Sequence, residues 1–153
     1  MRRVNPNYIS DITIEPEEFD SKTMNIHELD KSGRIYLPHW KLERLCFDPG
    51  QKVNVGLNHQ GLVLAIDPWI IEQQIEELGN LDPEFFSELE KSKLCRMYED
   101  FGKFTEQREV SEEQLLRIPA TIRKKLNLHP RDEVKSFEAW RRLVVDPTVV
   151  TQK

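Results

Sequence analysis

Two stretches of cationic side chains are the residues in this sequence best suited to chemistry. From Lys31 to Ile66 the chain carries Lys31, Arg34, Lys41, Arg44 and Lys52 against only Glu43 and Asp48. A second basic stretch runs from Arg117 to Arg142 and is densest at Arg123-Lys124-Lys125. Such groups recognise anions. Lysine and arginine neutralise phosphates, and an arginine reaching a major-groove guanine edge discriminates bases by roughly 1–3 kcal/mol per bidentate pair. Each also has a structural reading. Asp30 and Arg34 flank a tight turn and could simply pair with each other, and Arg123, Lys124 and Lys125 could be a solvated helix face placed favourably near its C-terminus.

The net charge of −5 argues against a polyanionic partner at first sight, because phosphate contacts supply most affinity for DNA. Its distribution answers that objection. The acidic residues concentrate before residue 31 and between Asp67 and Phe104, and local field rather than net charge steers a polyanion. Catalysis has no comparable constellation. There is no glycine-rich phosphate loop, Gly-x-Ser-x-Gly elbow or His-Glu-x-x-His pattern. His27, His39, His59 and His129 are scattered without metal-ligand spacing, and Cys46 and Cys95 form no Cys-x-x-Cys pair and read as small buried hydrophobes. No metal, cofactor or small-molecule substrate is expected, and the chain reads as a non-enzyme. No apolar run is long enough to span a bilayer, and the first residues lead into acidic ones rather than a signal core, so a cytoplasmic location is expected.

The elements that must position the cations follow from punctuation and period. Residues 1–20 show neither alternation nor helical period and contain two prolines, and read as a flexible acidic arm. Met24 to Leu29 reads as a strand, Asp30-Lys31-Ser32-Gly33 as a turn and Arg34 to Leu37 as the return strand. Pro38 presets a short helix from His39 to about Cys46, closed by Asp48-Pro49-Gly50. Val53, Val55 and Leu57, then Leu62, Leu64 and Ile66, alternate on either side of Asn58-His59-Gln60-Gly61 and predict a hairpin. Asp67-Pro68 and Asp82-Pro83 each open a helical pattern, the second with Phe86, Leu89, Lys93 and Met97 along one stripe and an end near Tyr98.

A repeat organises these pieces. Pro38 and Pro119 stand 119 − 38 = 81 positions apart, and at that offset Leu37 faces Ile118, Leu45 faces Leu126, Phe47 faces Leu128, Pro49 faces Pro130 and Val53 faces Val134. Past the hairpin, Asp67-Pro68 parallels Asp146-Pro147 if the second hairpin is shorter. Each copy is too small to bury a core alone, so the two must share one. The expected divisions are an arm over 1–20, a first half over 21–68, a helical connector over 69–104 and a second half over 105–150.

Leu29-Asp30-Lys31-Ser32-Gly33-Arg34-Ile35-Tyr36-Leu37-Pro38 resembles the AbrB/SpoVT swapped-hairpin motif, with its Asp-x-x-x-Arg signature and turn glycine, and most closely its MraZ branch. Ile118 to Leu128 is similar to an AbrB half, although Ser111, Gln114 and Leu115 stand where the signature Asp, Gly and Arg would be. The resemblance implies an α+β, β-rich fold in which two strand-helix-hairpin halves interleave as a swapped-hairpin pseudo-dimer joined by a helical pair. It also implies a double-stranded DNA-binding transcriptional regulator, a repressor associated with the nucleoid and working as a homo-oligomer. Its DNA-binding residues would be Lys22, Lys31, Arg34, Lys41, Arg44, Arg123, Lys124 and Lys125, with Asp30 and Gly33 shaping the motif turn. The rival readings are an AbrB-like antitoxin or protein-interaction adaptor whose acidic arm occupies a basic partner, and a DNA-mimicking or purely structural oligomer suggested by the acidic stretch from Glu72 to Glu90.

Overall fold

A computed structural model describes residues 9–19 and 21–148. It is an α+β fold built on a mixed seven-stranded sheet. A short strand β1 (Ile9–Ser10) is followed by β2 (Asn25–Glu28), β3 (Arg34–Tyr36), helix α1 (His39–Leu45) and the hairpin β4 (Lys52–Asn58) and β5 (Val63–Ile66). Helices α2 (Pro68–Gly79) and α3 (Glu88–Phe104) lead to β6 (Glu106–Glu109), β7 (Leu115–Arg117), α4 (Ala120–Lys125) and the hairpin β8 (Glu133–Ala139) and β9 (Arg142–Asp146).

The strand pairings carry the 81-residue offset into three dimensions. Strand β2 pairs not with its own hairpin but with β8, Glu28 opposite Glu133, and β6 pairs with β4, Glu109 opposite Lys52. Strands β3 and β7 form a separate two-stranded ribbon in which Ile35 faces Leu116, Arg34 faces Arg117 and Tyr36 faces Leu115. The middle of the sheet is closed by β5 against β9, with Leu64 opposite Val144. Local geometry repeats as well. The carbonyl of Val110 accepts from Gly50 and that of Leu29 from Arg131, while Gly50 and Arg131 both have positive φ, as do Cys46 and Asn127.

Three layers result because β5 and β9 are apolar on both faces. Val63, Ala65, Leu143 and Val145 enter a core with the ribbon and the short helices, through Ile35, Leu116, Leu42, Leu45 and Ile122. Leu64, Ile66 and Val144 turn the other way, onto Ile70, Ile71, Tyr98 and Phe101 of α2 and α3. The ribbon with its short helices and the helical pair therefore lie on opposite faces of the sheet.

Several sequence expectations need correction. The arm is packed from residue 9: β1 joins β4 in parallel, and Ile12 and Ile14 are buried in the second core, because their period-two spacing lets a short segment cover the sheet face. The remainder of the expected arm, residues 1–8 and Asp20, lies outside the described residues, as do residues 149 and 150 of the expected second half. Helix α3 starts five residues later than Asp82-Pro83 suggested and runs past Tyr98 to Phe104. Ser87 caps it with a capping box to Glu90, and its buried face is Tyr98 and Phe101, leaving Leu89 exposed. Cys46 is exposed and Cys95 half-buried, so neither is a buried core residue. In the return strands Ile66, not Asp67, is equivalent to Asp146, since Asn54 faces Ile66 as Lys135 faces Asp146. The second hairpin is tighter, with Trp140 and Arg141 both at positive φ in a two-residue turn.

Candidate nucleic-acid interface

The ribbon pairs Arg34 directly with Arg117, and the turn of the first copy sits against α4 of the second. Asp30 builds that turn. Its Oδ1 accepts from the backbone of Ser32 at 2.9 Å and of Arg34 at 2.8 Å, and Oδ2 holds the Arg34 Nε at 2.7 Å. Burial pushes the Asp30 carboxyl up, but the hydrogen bonds from Arg34 and Ser32 together with the Arg34 charge outweigh it and hold the group below the usual range. Gly33 takes φ +76°, and a side chain there would meet Arg123: an added Cβ would lie 2.3 Å from its Nε. The Arg123 guanidinium thus lies over the turn, with its Nε donating to the carbonyl of Ile118 at 2.8 Å. Burial first, and then the neighbouring charges of Arg117 and Arg108, lower its pKa, while Asp30 raises it. Arg117 spans back to the same turn, its Nε donating to the Ser32 carbonyl at 3.0 Å.

Arg34, Arg117 and Arg123 therefore meet around the turn that holds the Asp30 carboxylate, and Arg108, itself paired with Glu106 at 2.7 Å, adds its charge to the field at Arg123. Like charges placed directly opposite in a ladder are destabilising, so this cluster costs stability and gains an anion-seeking surface. Lys31, Lys124 and Lys125 are exposed at the same end. Arg117 was absent from the residues expected at the site. Its signal was the repeat itself, since a ribbon centred on Ile35 and Leu116 must set Arg34 beside Arg117.

Other expected residues lie elsewhere. Lys41 is a correction: it is fully buried, with Nζ donating to Ser136 Oγ at 2.7 Å and to the Ser136 carbonyl at 3.3 Å. It shares the inner face of α1 with Leu42 and Leu45, so its charge cannot reach a ligand. Ser136 Oγ also meets His27 Nε2 at 2.6 Å. Burial lowers the pKa of Lys41 to about 8 against the opposing pull of Glu138, and burial together with the Lys41 charge lowers that of His27 to about 4. Arg44 is exposed but held by Glu138 at 3.3 Å. Lys22 stands at the far end of β2 from the Asp30 turn, in a short 3-10 helix whose Thr23 hydroxyl accepts from the backbone of Glu138. Arg142 is buried against Glu18 at 2.6 Å and Arg141 lies over the Trp69 ring, both remote from the turn.

The equivalent end of the ribbon has different chemistry. Ser111 Oγ accepts from the backbone of Leu115 as Asp30 does from Arg34, and Gln114 takes φ +66° without being glycine. Its side-chain amide donates to the carbonyl of Leu37, the job Arg123 does for Ile118. Between this turn and α1 opens a cavity of about 500 Å³ lined by Leu42, Phe47, Cys46, Glu43 and Glu112, among others.

Among the described residues no three His, Cys, Asp or Glu side chains are grouped to hold a metal ion, and no helix is long and apolar enough to cross a membrane. Neither a protein-family model nor a curated protein matches the chain. Among solved structures it is similar to the solution structure of a protein from Pyrococcus horikoshii, with TM-score 0.39 and 12% identity, over 84% of this chain and 94% of that one.

Proposed function

We propose that this chain is a sequence-specific double-stranded DNA-binding transcriptional regulator of the AbrB/SpoVT swapped-hairpin type, most like MraZ, acting on the nucleoid as a repressor within a homo-oligomer. The observation that carries this reading is the convergence of Arg34, Arg117 and Arg123 on the Gly33 turn. A fold with no ligand to satisfy would gain by replacing one of them, because the three like charges repel one another across the ribbon and turn. The exchange of β2 and β6 between the two hairpins supports a swapped-hairpin pseudo-dimer of two halves joined by α2 and α3. One such unit offers limited contact area, which favours several units on spaced sites.

The test is a binding titration on duplex from upstream of the gene, repeated at several salt concentrations. Affinity should fall steeply with salt. Arg117→Ala should weaken binding, reduce the salt slope by about 1, and leave stability equal or raised by a few tenths of a kcal/mol. Absence of any salt-dependent shift on duplex would sink the reading. The acidic cavity beside α1 favours one alternative, an antitoxin or adaptor that binds a basic protein, and binding to such a partner without any DNA shift would be its signature.

A further inference from the structure

The two ends of the β3–β7 ribbon are equivalent in backbone and opposite in charge. At the offset of 81, Lys31 corresponds to Glu112, Lys124 to Glu43, Arg34 to Leu115, Arg117 to Tyr36 and Arg123 to the buried Leu42. Only Lys125 meets a like charge, Arg44, and that guanidinium is engaged by Glu138. The turn geometry is kept at both ends while the cations are kept at one. The equivalent backbone bonds at 111–115 and the positive φ of Gln114 show that the second turn has not lost its shape along with its charge.

We infer that the chain grips duplex DNA through the Gly33 turn and α4 alone, holding the Gln114 turn and α1 off the phosphates, and so reads an asymmetric site. This rests on the DNA-binding reading. The physical reason is the sign of the local potential. Exposed charges act over a screening length of roughly 8–10 Å at physiological salt, so Glu43 and Glu112 repel whichever phosphates approach their own end while leaving the other end attractive. A protein whose two recognition elements are chemically equivalent matches a palindrome. Here the backbone has the two-fold relation and the side chains do not, so one chain covers one half-site, and a symmetric operator would need a second chain.

Positions 43 and 124 are equivalent exposed helix sites, which makes them a matched pair of probes. In a background with Cys46→Ser and Cys95→Ser, Glu43→Cys and Lys124→Cys would each be alkylated with a thiol reagent, free and saturated with a short mixed-sequence duplex at low salt. The thiol at 124 should react several-fold more slowly in the complex and the thiol at 43 at an unchanged rate. Glu112→Cys against Lys31→Cys repeats the comparison on the turns should either helix variant fail to fold. Protection at both ends, at the acidic end alone, or at neither while the duplex remains bound would overturn one-ended contact and leave the DNA reading standing. Failure of the unlabelled protein to bind any duplex would instead remove both.

Discussion

At the scale of single residues, Lys41 and Arg117 show what the sequence made legible and what it hid. Both are cationic side chains in basic stretches, and only one is at the surface. The repeat held the answer, since Lys41 aligns with the core residue Ile122, whereas a count of charges along the chain cannot tell the inner face of a short helix from its outer one. Burial makes Lys41 titrate in an accessible range. Folded Lys41 loses its proton near pH 8, against an ordinary value of 10.5, and folded His27 gains one only near pH 4, against 6.5. In both windows the unfolded chain binds more protons, so stability rises with pH from 4 to 6.5 and again from 8 to 10.5. Urea midpoints across pH should therefore show an upper rise in the parent protein that is absent from Lys41→Met. Met also removes a buried charge, so the variant should be at least as stable at pH 7. An upper rise that survives in Lys41→Met would assign it to another group.

Turns and helices were legible wherever a local signal set them. Asp30 to Gly33, Asp67-Pro68 and the hairpin at Asn58 to Gly61 fall where sequence placed them, because capping and positive φ depend on residues within a few positions. The start of α3 was misread for the opposite reason. Asp82-Pro83 satisfies a helix-opening rule, with Asp82 accepting from the backbone of Glu84, yet Ser87 and Glu90 form the fuller capping box and win. On the proposed DNA-binding reading, the Gly33 turn also couples shape to recognition. An alanine there must hold a left-handed backbone, at roughly 1–2 kcal/mol, and displace the Arg123 guanidinium. Gly33→Ala should therefore lower both the denaturation midpoint and the affinity for duplex, although it removes no charge. Gln114→Gly is the matched control at the equivalent turn. It relieves the same backbone strain and loses one hydrogen bond to Leu37, so its midpoint should stay near the parent's. If Gly33→Ala keeps the parent midpoint and affinity, the turn does not position Arg123.

For the whole molecule, the repeat was legible and the partner of each strand was not, because period-two patterns fix which face is buried but not which strand lies alongside. Strand β2 finds its ladder more than a hundred residues away, at β8, with Ile26 opposite Lys135. Strand β6 likewise leaves its own hairpin and pairs with β4, and the ribbon needs one strand from each copy. A fragment of residues 105–153 would then carry β6, β7, α4 and the β8–β9 hairpin with β6 and β7 unpartnered, and with the faces of Leu116, Ile122, Val134 and Leu143 open to water. A chain of that size cannot close such a core by itself. It has two choices: remain unfolded, or pair with a second copy of itself so that each β6 lies on the other chain's hairpin. Sedimentation and far-ultraviolet circular dichroism on this fragment should accordingly find either no cooperative unfolding or a folded dimer whose midpoint rises with concentration. Addition of residues 1–104 should draw it into a one-to-one complex, because only that pairing restores the α2–α3 layer over Leu64 and Val144. A folded monomer of residues 105–153, with a concentration-independent midpoint, would mean that each half satisfies its own strands and that the exchange of β2 and β6 is not what holds the molecule together.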